Sequence, residues 1–263
     1  MKLSFFLFFI GILGLSSQNK ELPKYFNIVK NGDSVYLTTK NSFKYPIHIV
    51  ITSFSKKKKV KVLFPNDSIV IFKKSNEKFE ETEIVNNYTF KRNFGNPYLK
   101  RYDTLYRYSP PFKKNHRYKV LQGYHGKYTH NDLTSRYALD FQMPIGDTVC
   151  AARKGFVIKT EDKFKKGGRN PKLKPYANFI LIYHDDGTVS QYVHLKHKGV
   201  LVKPGDFVKK GQAIGLSGNT GWSTEPHLHF SIYVPKNGKL ISIPSIFNGV
   251  SGEKFKKGIR INY

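Results

Sequence analysis

The sequence predicts an all-β protein, in which a small β-sandwich-like region precedes a larger antiparallel β region. Three observations carry this. Short runs of alternating polar and apolar residues, rich in β-branched and aromatic side chains, recur along the chain, as at 34–38 and 47–52. Glycines at Gly199, Gly205, Gly211, Gly215, Gly218 and Gly221 punctuate the second half at turn spacing. No stretch of convincing length repeats with the helical period.

The N-terminal end differs from the rest. Lys2 is followed by an apolar run over residues 3–15, then Ser16, Ser17 and Gln18. A bilayer-spanning helix needs roughly 20 apolar residues. This run is shorter and ends on small residues, so residues 1–17 read as a secretory signal peptide, with an uncleaved anchor as the competing reading. No cysteine lies near the cleavage region, which excludes a lipid-modified cysteine there. No other segment is long enough to span a membrane. The expected location is periplasmic or secreted.

Composition narrows the classes further. With 39% hydrophobic and 24% charged residues, the 263-residue chain excludes bulk disorder and allows one large or two small domains. Its single cysteine, Cys150, excludes an intramolecular disulfide and reads as a small buried thiol in a strand. The net charge of +27 attracts polyanions, so an anionic cell-envelope surface is an expected partner. No aromatic–basic nucleic-acid motif accompanies that charge, so nucleic acid is not expected. The lysine run 56–59 reads as a solvated turn.

Residues 22–108 read as hairpins separated by the turn signals Asn31-Gly32-Asp33 and Pro65-Asn66-Asp67, with no chemistry in them. Tyr108-Ser109-Pro110-Pro111-Phe112, followed by Lys113-Lys114, reads as a linker or a surface crossing. The expected organisation is therefore an N-terminal β domain over 18–112, a second domain over 113–248 and a tail over 249–263. Candidate strands of the second domain are 137–142, 155–160, 178–184, 189–195 and 227–234. The lysine- and glycine-rich stretch 160–175 reads as a long exposed loop.

The chain has nine histidines. His227-Leu228-His229 lies in an alternating strand, where residues two apart face the same side, about 6.5–7 Å apart. Two imidazoles facing one space serve a metal, a proton-transfer pair or a satisfied polar patch. Zinc takes histidine nitrogen together with carboxylate, and a catalytic zinc keeps one position open. Asp140 sits among apolar neighbours in Tyr137-Ala138-Leu139-Asp140-Phe141, where a carboxylate is costly unless paired or metal-bound. His130 precedes it by one loop, and His194 ends another candidate strand. His48, His116, His184 and His197 read as surface or locally bonded.

Several motifs in order resemble the lysostaphin/LytM-type zinc peptidases of the M23 family. Gly123 to His130 followed by Tyr137-Ala138-Leu139-Asp140-Phe141 resembles the family's first motif. Pro144 to Gly155 resembles its next turn and strand. His184-Asp185-Asp186-Gly187 leads to Tyr192-Val193-His194-Leu195, and Pro204 to Gly215 leads through Gly218-Asn219-Thr220-Gly221 to Pro226-His227-Leu228-His229-Phe230. The resemblance covers about half the chain. It implies a LytM-type antiparallel β-sheet peptidase domain with Zn2+ held by His130, Asp140 and His229, and with His194 and His227 flanking the reacting centre. His125, in a glycine-flanked turn, is the alternative to His130, and Tyr124 is either an oxyanion donor or an ordinary aromatic. Spacing alone does not separate the roles of His227 and His229.

The implied activity is hydrolysis of peptide cross-links in peptidoglycan by a zinc-activated water. The alternative is a non-catalytic, LytM-like wall-binding regulator of other hydrolases, against which all five positions are filled. The turn 202–212 also resembles lipoyl or biotinyl carriers, a fold with no use for the histidine set.

Overall fold

A computed structural model describes residues 21–75, 80–236 and 239–263. The proposed signal segment, residues 1–17, lies outside the described residues. The chain divides into two compact units, residues 1–96 and 97–263.

The first unit holds two three-stranded antiparallel sheets. One contains β1 (Phe26–Asn31), β2 (Ser34–Lys40) and β5 (Ser68–Ser75), and the other contains β3 (Ile47–Ser53), β4 (Lys58–Leu63) and β6 (Tyr88–Phe94). Alternation puts Val35, Leu37, Ile47, Ile49 and Leu63 in its core. Phe26 of β1 meets Phe90 of β6 edge to face at 4.8 Å, so rings of the two sheets interlock. The expected sandwich-like arrangement is present. A seven-residue helix, α1 (Glu81–Asn87), was not expected; it buries only Ile84.

The second unit begins with β7 (Arg107–Tyr108), β8 (Arg117–Gln122), β9 (Leu139–Gln142), β10 (Thr148–Cys150), β11 (Gly155–Glu161) and β12 (Gly167–Gly168). It continues with β13 (Phe179–Tyr183), β14 (Val189–Val193), β15 (Leu195–Val200), β16 (Phe207–Val208), β17 (Ala213–Ser217) and β18 (Gly221–Trp222). It ends with β19 (Leu228–Lys236), β20 (Lys239–Ile243), β21 (Ile246–Phe247), β22 (Val250–Ser251) and β23 (Arg260–Asn262). The main sheet runs β16-β11-β13-β14-β19-β9-β8-β23, with β20 added beside β19. A smaller sheet, β10-β17-β15, completes the core. Phe112, Phe141, Tyr192, Leu228 and Phe230 fill that core and are 0–1% exposed. Cys150 is buried at the end of β10, as expected.

Three expectations are corrected. Residues 108–112 are no surface crossing: all five are buried, Pro111 O accepts from Cys150 N at 3.0 Å, and Phe112 bridges to Val149. The proline pair suits this edge, because proline still offers its carbonyl. The tail 249–263 is part of the sheet, since β23 pairs with β8 and buries Ile261. The loop over 160–175 carries β12, paired in parallel with β18, and a 3₁₀ helix, Pro171–Tyr176, with Asn170 as its cap.

Candidate metal centre

The centre lies on one face of the main sheet, where β19 runs between β14 and β9. His229 stands opposite Asp140 on one side and Val193 on the other. Cross-strand partners share a face, so the imidazole and the carboxylate meet. His227, two residues before His229, points the same way. His194 immediately follows β14, where continued alternation would send it to the core. Its φ of 66° breaks the alternation. The ring then comes 4.6 Å from the His227 ring and 6.1 Å from that of His229. The His194 Nδ1–H donates to Thr220 O at 2.6 Å, which holds the turn. Gly218 lies against this turn: a Cβ there would meet Lys196 N at 2.5 Å and Leu195 C at 2.6 Å.

His130 comes from the loop between β8 and β9 and is fully buried. Its Nδ1–H donates to Gly123 O at 2.9 Å, and its ring lies 5.2 Å from the His229 ring. Gln122, at the end of β8, ties this loop to the carboxylate. Its Oε1 accepts from Tyr128 N at 3.1 Å. Its Nε2 donates to Thr129 Oγ1 at 2.6 Å and to Asp140 Oδ2 at 3.2 Å. His125 is exposed, packs its ring on Tyr137 and stays outside the cluster. Tyr124 is buried and its hydroxyl is engaged with Ser245, as an ordinary core aromatic.

One ligand atom each from His130, Asp140 and His229 lies within 4.8 Å of the others. With its Nδ1 committed to a carbonyl, the neutral His130 ring carries a lone pair on Nε2. That Nε2 is buried, has no hydrogen-bond partner and sits 3.2 Å from Asp140 Oδ2. His229 Nδ1 lies 2.8 Å from Asp140 Oδ1, and its Nε2 is 3.2 Å from Ser231 Oγ. Two imidazoles thus turn ring nitrogens toward one buried carboxylate, and a bound cation or shared protons must offset the crowding of acceptors. Two histidines and a carboxylate are a donor set that zinc accepts.

Burial would raise the Asp140 carboxyl, but His130, His227 and His229 outweigh it and hold the group well below the usual carboxylate range. Burial pushes His194 well below the ordinary imidazole value, and the nearby His227 and His229 push it the same way. His227 Nδ1–H donates to Glu225 O at 2.8 Å, and its Nε2 stands 3.9 Å from Asp140 Oδ1. Each of these two rings therefore keeps Nε2 for chemistry.

All five side chains singled out in the sequence come together here. The residues that hold them escaped notice. Ser231 was visible in principle, lying two residues beyond His229 on the same strand face. Gln122 and Thr220 gave no local signal, because their partners Asp140 and His194 come from distant segments.

Fold and donor set together describe an all-β domain with a candidate metal site of two histidines and a carboxylate. Residues 134–242 match peptidase family M23, and the chain carries a domain of that family. Over 158 residues it is 34% identical to the peptidoglycan DD-endopeptidase ShyA of Vibrio cholerae, covering 57% of this chain and 34% of that protein. It is 42% identical over 95 residues to lysostaphin of Staphylococcus simulans, covering 36% of this chain and 17% of that one. The catalytic domain of the same lysostaphin is a structural match at 31% identity, spanning 56% of this chain and 94% of that domain with a TM-score of 0.33. The chain thus spans about a third or less of the length of these two curated relatives.

Proposed function

We propose that this chain is an exported zinc endopeptidase that hydrolyses peptide cross-links of bacterial peptidoglycan. The observation that carries the reading is the convergence of His130, Asp140, His229, His194 and His227 in one cluster, in which only His229 is half-buried and the other four are buried. The names of the relatives support the substrate class. The charge of +27 suits an anionic envelope, and residues 1–17 have the pattern of an export signal. A wall-binding regulator has no need for five converging metal and proton groups, so it ranks second.

In this reading His130, Asp140 and His229 hold the metal, with His130 using Nε2 and His229 using Nδ1. Bound zinc supplies Lewis acidity and brings a water toward a pKa of roughly 7. His194 and His227 accept the proton of the attacking water at Nε2 and return it to the departing amine. Their Nδ1–H bonds to Thr220 O and Glu225 O fix both the tautomer and the direction of each ring. Burial keeps His194 neutral and able to accept.

The test is release of peptides from purified cross-linked peptidoglycan, read by mass spectrometry, with zinc and with chelator, beside His227→Ala. Zinc-dependent release that the variant lacks is the expected result. Zinc bound at one per chain with no release from several wall types would favour the regulator. A chain that binds no zinc would overturn the site.

A further inference from the structure

The sheet face that carries the metal centre does not end at Asp140. Gln142 lies two residues further along β9 and therefore on the same face. Lys119 of β8 stands opposite Gln142, and Arg260 of β23 stands opposite Lys119. Arg117, two residues before Lys119, completes the group on that face. The intervening Tyr118, Val120 and Ile261 point the other way, into the core. Arg117, Lys119 and Arg260 are all exposed. Among the described residues none of the three has an acidic partner within ion-pair distance. Glu225, which reaches Gln142, accepts instead from its Nε2 at 3.0 Å.

Two features set this row apart from a generally lysine-rich surface. Lys119 and Arg260 oppose each other directly across the strands, and like charges so placed destabilise a sheet. Arginine is also scarce, at eight of the 45 basic residues, yet it takes two of these three positions. Its planar fork matches a carboxylate in two parallel hydrogen bonds, whereas an ammonium offers a point charge. From strand spacing, Lys119 sits about 8 Å and Arg260 about 12 Å from Asp140 at the backbone. An extended peptide covers that distance in roughly two to four residues.

We propose that Arg117, Lys119 and Arg260 form a carboxylate-binding subsite, which selects an acidic peptide bearing a free carboxylate two to four residues from the bond cut at the metal centre. This deepens the peptidase reading and rests on it. The pairing of like charges is then relieved when substrate arrives, and charge attraction contributes to KM rather than to the chemical step.

The experiment compares two cross-linked wall peptides that differ only in whether the stem carboxylates are free or amidated. The proteins are the zinc-loaded chain and the double variant Lys119→Gln/Arg260→Gln. The wild-type chain is expected to favour the free acid by about tenfold in kcat/KM, mostly through KM. In the variant that preference falls to within about twofold, and 0.5 M salt has the same effect on the wild type. Equal cleavage of both peptides by the wild type overturns the subsite while leaving the peptidase reading intact. So does equal loss on both peptides in the variant.

A binding arm separates the two claims. Calorimetry with an uncross-linked free-acid stem peptide needs no cleavage. Charge-dependent binding without hydrolysis of any fragment supports the subsite and defeats the peptidase. If the variant loses retention on a phosphate polymer but binds the stem peptide as the wild type does, the row serves a wall polyanion and the proposal fails.

Discussion

Asp140 shows how much one buried carboxylate depends on its neighbours. His130, His229 and Gln122 reach its oxygens from three different segments, at 2.8–3.2 Å. Gln122→Ala removes the group that ties the His130 loop to this carboxylate. Zinc affinity is expected to fall about 10–100-fold, as for other residues that orient ligands, measured by competition with a chromophoric chelator. His184 gives a second residue-level prediction, at a residue outside the candidate metal cluster. It is fully buried, donates from Nδ1 to Lys154 O and receives Ser190 Oγ at Nε2, and burial lowers its pKa to about 4. Below pH ~6.5 the unfolded chain takes up a proton that the folded chain refuses until pH falls to about 4. This contribution is complete above pH 6.5 and is lost on acidification. Between pH 7 and 4.5 the wild type should lose about 2–3 kcal/mol more than His184→Gln in urea unfolding.

At the scale of elements, glycine decides how the loops beside the centre close. A Cβ on Gly167 would lie 1.6 Å from Asn219 O, because β12 and β18 run side by side there. Gly167→Ala should therefore unseat residues 162–176. Faster limited proteolysis within that stretch, with little change in the global melting midpoint, is the expected result. The long alternating strands were legible in the sequence, and β19 begins one residue later and ends two residues beyond its expected span. Short elements were not. β23 contributes a single apolar residue, Ile261, so it has no alternation to detect. Residues 108–112 carry a Pro-Pro signal that normally marks a turn, and only their pairing with the β10 segment makes them core. Helix α1 is under two turns long, too short for a periodic signature. The five clustered side chains were legible from residue type and strand parity together with family motifs. The backbone reversal at His194 and the bonds of Gln122 were not, because contacts with distant segments create both.

At the scale of the molecule, the second unit depends on a segment that lies before its first long strand. Phe112 is fully buried against Tyr118 and Phe141, with ring centroids 4.8 and 5.5 Å away. Phe112→Ala should cost about 3–5 kcal/mol, read as a lowered denaturation midpoint of the zinc-free chain. The placement of β19 has a further consequence, which concerns time. This strand is paired on both edges, yet β9 precedes it by some ninety residues and β14 by some forty in the chain. Pairings between such distant segments close late and slowly. While the chain is still extended, its histidines are scattered along a thread and the cluster of His130, Asp140 and His229 does not exist. Assembly is therefore its own safety catch: the candidate metal centre comes into being only where the chain finishes folding.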